Sequence, residues 1–344
     1  MKSLRYTAIV AALSALYACQ PTSHAPAAAA APKADFSYSL PAGSPTPWTS
    51  DKFNAHPGDF EFALVGDRTG LARPGVFEHA ITRLNLVQPE FIVNVGDMIE
   101  GYTDNKAELK LEWDEQDARL AKLQMPFFRV VGNHDMGSEV MRDFWRDRYG
   151  PDYYSFVYKN VLFIALNTED PPSPMPEEMR KGFEQIKALM RSDPEAGKAA
   201  LAKAMSAISA EDRAKMRNMA TPANFSEQQI AWVQRTLQEH RDVRWTFVFM
   251  HKPAWEMDSA NFARIEQLLA DRKYSVFGGH EHNYKHSVRN GHDYIRLGTV
   301  GGGVHHAPPG NIDHITLVNF RDGEPRIVNF TLDGVLDKDE PQQH

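Results

Sequence analysis

The chain has a single cysteine, Cys19, in 344 residues. That excludes an internal disulfide framework and any cysteine-rich zinc or iron–sulfur site. Long apolar runs are scarce too: the one near the start, from about Tyr6 to Tyr17, falls short of the ~20 residues that span a bilayer. No internal repeat is visible, so a repeat array is excluded. An excess of positive charge is also missing, with 38 Lys and Arg against 45 Asp and Glu for a formal charge of −7. Such a chain has no global attraction for nucleic acid or anionic lipid, so chemistry on phosphate needs a local positive site, which points to metal ions. The run Gly301-Gly302-Gly303 lacks the Gly-Lys-Ser/Thr signature and is not a nucleotide P-loop. His305-His306 beyond it reads as part of a flexible loop, with a place in a substrate pocket as the alternative.

What is present, 42% hydrophobic and 24% charged residues, is the composition of a soluble globular protein. Residues 1–18 read as an export signal: Lys2 and Arg5, an apolar stretch, then Leu16-Tyr17-Ala18-Cys19. The end of this leader resembles a bacterial lipoprotein signal, in which Cys19 becomes the lipidated N-terminus; an ordinary signal peptide cleaved near Ala18 is the alternative. Either reading exports the protein, as a lipoprotein on the periplasmic face of a bacterial membrane or in soluble periplasmic or secreted form. Membrane contact is expected through the lipid anchor only. Residues 19–52 are rich in Ala and Pro and cannot bury a core, so they read as a tether. Residues 53–335 are expected to fold and 336–344 to form a polar tail.

Within the folded part, three β-α units open the pattern. Apolar strands at Phe60–Val65, Phe91–Val95 and Phe127–Val131 run into Gly66-Asp67, Gly96-Asp97 and Gly132-Asn133-His134-Asp135, with helices expected around Val76–Leu86 and Lys106–Leu123. Polar residues at successive strand ends indicate a parallel sheet core with its site at the carboxyl edge. Tyr154–Tyr158 and Val161–Leu166 read as a hairpin. Residues of about 170–225, first broken by Pro and then rich in Ala, Lys, Glu and Met, read as an inserted helical cap. The α/β order resumes with a strand ending at His251 and another ending at Gly278-Gly279-His280-Glu281-His282. In the last third, turns at Asn290-Gly291 and Asp322-Gly323 suggest an antiparallel second sheet.

Five strand ends thus present Asp67, Asp97, Asn133 with His134, His251, and His280 with His282. Two carboxylates, an amide oxygen and three imidazoles form a mixed O/N donor set suited to Mn, Fe, Zn or Co. The set is too large for one four-coordinate catalytic ion and suits two ions sharing a bridging carboxylate.

The order Gly-Asp, Gly-Asp, Gly-Asn-His-Asp, His-Lys-Pro and Gly-His-Glu-His resembles the calcineurin-like metallophosphoesterases, relatives of the purple acid phosphatases. The resemblance covers roughly residues 60–330, with the cap outside its motifs. It implies an α/β fold, a four-layer α/β/β/α sandwich of two mixed sheets with the helical cap inserted, around two divalent or trivalent metal ions (Mn, Fe, Zn or Mg). By the same resemblance, Asp67 and His282 hold the first ion, Asp97 bridges, and Asn133, His251 and His280 hold the second. One motif departs from the family: Asp-x-His is here Asp67-Arg68-Thr69, leaving the first site short of an imidazole. The position that carries a tyrosine in purple acid phosphatases is Glu100, so Glu100 or water is expected to complete that site; a solvated loop charge is the alternative for Glu100.

Two cations ~3.5–4 Å apart would turn a shared water into hydroxide and offset charge in an in-line displacement on a phosphate mono- or diester. His134 would protonate the departing alkoxide or contact the phosphoryl oxygen, a role the resemblance also implies. Asp135 would orient His134 or serve as a turn residue. Arg68 would bind phosphate bidentately or form a surface salt bridge. The expected partner is a small phosphorylated substrate. The other reading, kept open by Thr69, is a catalytically weakened module that binds a phosphorylated ligand or an envelope partner.

Overall fold

The computed structural model describes residues 57–207, 222–257, 259–303 and 310–334. The residues expected to form a leader ending at Cys19, a tether and a polar tail lie outside the described residues, as do residues 208–221 of the expected cap and His305-His306. Strand β1 (Phe60–Val65), α1 (Val76–Val87), β2 (Ile92–Asn94), α2 (Lys106–Leu120), β3 (Phe127–Phe128) and α3 (Glu139–Tyr149) form the first β-α succession. A hairpin of β4 (Tyr154–Tyr158) and β5 (Val161–Ala165) leads to α4 (Glu177–Ser192) and α5 (Pro194–Ala207) in the cap region. Then α6 (Glu227–Glu239), β6 (Thr246–Phe249), α7 (Ala260–Leu269) and β7 (Tyr274–Gly278) resume the alternation. The pairs β8 (Lys285–Arg289) with β9 (His292–Arg296), and β10 (His314–Arg321) with β11 (Glu324–Thr331), complete it. Polar side chains start several helices: Asn105, Ser138, Ser226 and Ser259 each accept a first-turn amide hydrogen bond. Among the described residues no helix is long and apolar enough to cross a membrane.

The described strands make two mixed sheets, ordered β11-β10-β1-β2-β3 and β4-β5-β6-β7-β9-β8. This corrects the expectation that the last third builds an antiparallel sheet of its own. The β10–β11 pair extends the first sheet beside β1, and the β8–β9 pair extends the second beside β7. The reason is burial. Val318 and Phe320 on β10 and Ile295 on β9 join an apolar layer that the other strands already form, so each hairpin covers a face by lengthening a sheet.

Side chains alternate across each strand. On β1, Phe60, Phe62 and Leu64 point between the sheets, whereas Ala63 and Val65 meet Phe77, Ala80, Ile81 and Leu84 of α1. On β6, Phe247 and Phe249 enter the same inter-sheet layer, while Val248 packs with Ile230 and Val233 of α6 and Phe262 and Ile265 of α7. Because both faces of these strands are covered, they read as unbroken apolar runs. The result is helices, sheet, sheet, helices, with the parallel strands of both sheets ending on one seam.

Phe163 on β5 is fully buried in that middle layer, with ring centroids 5.4 Å from Phe62, 5.4 Å from Phe91 and 4.7 Å from Phe156. Truncation to Phe163→Ala is expected to lower the unfolding free energy by about 3–5 kcal/mol. Urea titration checks this, and a loss below about 1 kcal/mol would contradict the packing described.

Candidate metal centre

The seam gathers donors from both sheets. Asp67 follows β1, Asp97 follows β2 and Asn133 follows β3, while His251 follows β6 and His280 and His282 follow β7. Asp97, His280 and His282 all sit at positive φ, at 57°, 74° and 52°. Left-handed backbone at non-glycine residues is strained and persists only where the surroundings hold it.

At Asp97 the holding group is Asp135. Its carboxylate accepts the backbone N–H groups of Asp97 at 2.8 Å, Met98 at 2.9 Å, Ile99 at 3.2 Å and Gly132 at 3.0 Å. The expectation that Asp135 orients His134 is therefore corrected, because its oxygens are spent on the turn that presents Asp97. Burial, and then the neighbouring Asp97 charge, push the Asp135 carboxyl up to about 7. The turn also passes so close to Gly132 that a Cβ there would lie 2.1 Å from Asp97 Oδ1. Only glycine fits that approach.

Two donor clusters result. In one, His251 Nε2 lies 2.9 Å from Asn133 Oδ1, 3.1 Å from Asp97 Oδ2 and 3.2 Å from His280 Nδ1. Ring and amide orientations are set from behind: His251 Nδ1 bonds the Val95 carbonyl at 2.8 Å, and Asn133 Nδ2 donates to the Tyr102 hydroxyl at 2.6 Å. In the other, Asp67, Asp97 and His282 bring donor atoms within 4.8 Å of one another. His282 Nδ1 bonds the Gly303 carbonyl, and its Nε2 lies 3.7 Å from Asp67 Oδ1. Such outer bonds fix a metal-binding imidazole's tautomer and aim the remaining nitrogen. The sequence expectation that these six residues meet agrees with their placement, with Asp97 common to both clusters.

The electrostatics favour added positive charge. Asp67 and Asp97 are buried, and burial raises the Asp67 carboxyl above its ordinary value despite nearby His282 and His251. At Asp97 burial acts in the same direction, but His251, His134 and His280 outweigh it and hold the carboxyl well below the usual carboxylate range. Burial opposes charge on His251, yet Asp97 and Asp67 push its imidazole up to about 10. His280, desolvated and facing His251, is depressed well below the ordinary histidine value. A cation shared by these oxygens and nitrogens relieves the same imbalance as a proton on His251, and the mixed donor set fits borderline divalent or trivalent ions.

Three further expectations meet the structure differently. Glu100 does not join the donors: its carboxylate accepts Leu71 N–H at 2.9 Å and Ala72 N–H at 2.7 Å, bracing the loop that carries Thr69. Arg68 donates to the Met98 carbonyl at 3.0 Å and lines a cavity of about 270 Å³ whose walls include none of the six donors. Its expected bidentate phosphate contact is thus corrected to a loop contact. His134 does face the seam. Its N–H donates to Asp97 Oδ1 at 3.0 Å, and its Nδ1 meets the Glu100 carbonyl at 2.8 Å.

Two features carried no readable signal in the sequence. Tyr102 packs on the His134 ring at 4.7 Å, and Phe183 of α4 packs on it at 5.5 Å, so the cap region walls one side of the site. Lys187 of the same helix is buried, donating to the Gly101 carbonyl at 2.9 Å and pairing with Glu108 and Glu112. Beside the donors, Lys252 and Glu169 form a fully buried ion pair at 2.7 Å.

The family model described as calcineurin-like phosphoesterase matches residues 60–284. Over 100 residues the chain is 34% identical to the serine/threonine-protein phosphatase CPPED1 of Homo sapiens, covering 26% of this chain and 30% of that relative. Over 95 residues the Bos taurus protein of the same name is likewise 34% identical, again over 30% of its length. In three dimensions the chain is similar to a dimetal phosphatase from Danio rerio, with a TM-score of 0.50 at 15% identity, over 79% of this chain and 99% of that one. It is also similar to the purple acid phosphatase PPD1 from yellow lupin (Lupinus luteus) seeds, with a TM-score of 0.55 at 12% identity, over 82% of this chain and 54% of that one. At these identities the likeness to the two solved structures is one of fold.

Glu100→Gln separates a loop brace from a ligand. The variant is expected to keep the wild-type metal content after reconstitution, measured by elemental analysis, while melting at a lower temperature. A selective loss of one metal equivalent would return Glu100 to the donor shell.

Proposed function

The chain belongs to the calcineurin-like phosphoesterase family, and on that premise we propose that it is a hydrolase of phosphate mono- or diesters. The observation that carries the reading is the convergence of Asn133 Oδ1, Asp97 Oδ2 and His280 Nδ1 within hydrogen-bonding distance of His251 Nε2. Asn133, His251 and His280 would hold one cation, Asp67 and His282 another, and Asp97 both. A bound cation pair supplies Lewis acidity toward water and the phosphoryl group.

The chain's own residues do the rest. His134 bonds the Glu100 carbonyl through Nδ1, which leaves Nε2 as the nitrogen placed to deliver a proton to the leaving oxygen. The His134 ring is held against rotation by Tyr102 and Phe183. Its backbone N–H fixes Asp97 Oδ1, so proton donor and shared carboxylate move as one unit. Phe183 makes the wall against which the leaving group departs apolar, and Asp135 keeps Asp97 in its strained turn. The leader-like residues 1–18 and the Ala- and Pro-rich residues 19–52 support the reading that this activity sits in the cell envelope. Thr69 is the feature that favours the binding-module reading instead.

The test is hydrolysis of chromogenic phosphomonoesters and phosphodiesters after reconstitution with Mn, Fe, Zn or Mg. Turnover is expected with at least one ion and is expected to vanish in Asp97→Asn. His134→Ala should retain its metal and lose roughly 10²–10⁴-fold in kcat. A wild-type protein that binds the ions and never exceeds the Asp97→Asn background would overturn the hydrolase in favour of the binding module.

A further inference from the structure

The loop after β1 is fastened to the loop after β9 by one guanidinium. Arg73 forks onto Asp313, with Nη1 2.8 Å from Oδ2 and Nη2 2.5 Å from Oδ1. It also donates through Nε to the Gly302 carbonyl at 3.0 Å and through Nη2 to Thr299 Oγ1 at 3.1 Å. Its backbone N–H reaches the Gly301 carbonyl at 2.7 Å. Asp313 accepts in turn from Thr299 Oγ1 at 2.7 Å, and that hydroxyl receives the Gly301 N–H.

The segment held in this way directly seats donors of one of the two clusters. Val300 and Gly302 donate backbone N–H groups to the Asp67 carbonyl at 3.0 and 3.1 Å, and the Gly303 carbonyl receives His282 Nδ1. The Gly303 N–H bonds back to Gly70 at 3.3 Å, closing the loop on the residue after Thr69. Of the other cluster's donors, His251 is seated on Val95 and Asn133 on Tyr102, and His280 meets the segment only at one remove, through its backbone N–H on the Asp67 carboxylate. The cluster served by Arg73 is also the poorer one, with Thr69 where the family motif carries an imidazole. With fewer donors, its affinity depends more heavily on holding them in advance.

We propose that Arg73, locked to Asp313, is a positioning residue for the Asp67–Asp97–His282 site: it holds residues 299–303 so that the Gly303 carbonyl fixes the His282 tautomer and aims Nε2 at the carboxylates. The proposal rests on the two-cation reading of the centre for its consequence, but its first step belongs to the polypeptide alone.

That step is tested on the full chain without metal, by imidazole ¹⁵N NMR of wild type, Arg73→Met and Arg73→Lys. His282 is expected as the Nδ1–H tautomer in wild type and as a mixture in Arg73→Met, with His251 unchanged in both. Arg73→Lys should fall between, keeping the charge and losing the fork. An unchanged His282 tautomer in Arg73→Met overturns the proposal, as does an equal disturbance of His251, which marks general loosening. The second measurement is Mn²⁺ titration: Arg73→Met is expected to weaken one site about 10–100-fold and spare the other. Equal weakening of both sites in Arg73→Met overturns the clamp. If wild type itself takes up only one ion, the two-cation reading fails, and the tautomer result still decides the role of Arg73.

Discussion

Two carboxylates with almost no solvent exposure, Asp67 and Asp97, sit side by side at the seam between two sheets, and the rest of the site answers that arrangement. Burying an ionised carboxylate without a partner is among the most unfavourable things a fold can do. Two of them in one place require positive charge at the same point. The three imidazoles on the opposite sheet supply nitrogen donors around that point, and the surrounding loops supply amide N–H groups. The centre is a polar hole in an otherwise aromatic interior, stable only when a cation or proton is there to balance it.

The apolar frame explains why the hole has a fixed shape. Phe62, Phe163, Phe247 and Phe249 close the space between the sheets directly behind the strand ends. Close-packed rings leave little room for the strands to shift, so each strand delivers its terminal residue to a constant place. Final aim is left to the loops, where strained backbone at Asp97, His280 and His282 is held by Asp135, Asp67 and Gly303 respectively.

Much of this was legible in the linear chain. Each donor follows an apolar run that ends in a polar turn, and that pattern locates Asp67, Asp97, Asn133, His251, His280 and His282 without coordinates. The partition of strands into two facing sheets was less legible, because a strand buried on both faces carries no mark of which sheet owns it. Hairpins in the last third therefore suggested a sheet of their own. Roles of loop charges were the hardest to read. Asp135, Glu100 and Arg68 lie within three residues of donors, yet their polar atoms go to backbone groups of neighbouring loops. Nothing in composition or spacing reports a side chain that serves amides. The same holds for Phe183, brought to His134 by an inserted helix, and for Arg73, which finds its partner 240 positions away.

The split of the donors between distant stretches has a consequence for biogenesis. Asp67 and the His280 amide that seats on it are separated by 213 positions, and His251 stands 118 positions from Asn133. A ribosome releases both carboxylates long before any of the three imidazoles exists, so no early fragment can capture the ion in its final geometry. Loading of a cation would have to await closure of the second sheet on the first. Once seated, a cation would tie the earliest and latest parts of the fold together, adding stability in proportion to the logarithm of its concentration over its dissociation constant. Supply of the inorganic partner would thereby govern how long the finished molecule endures as well as what it can do.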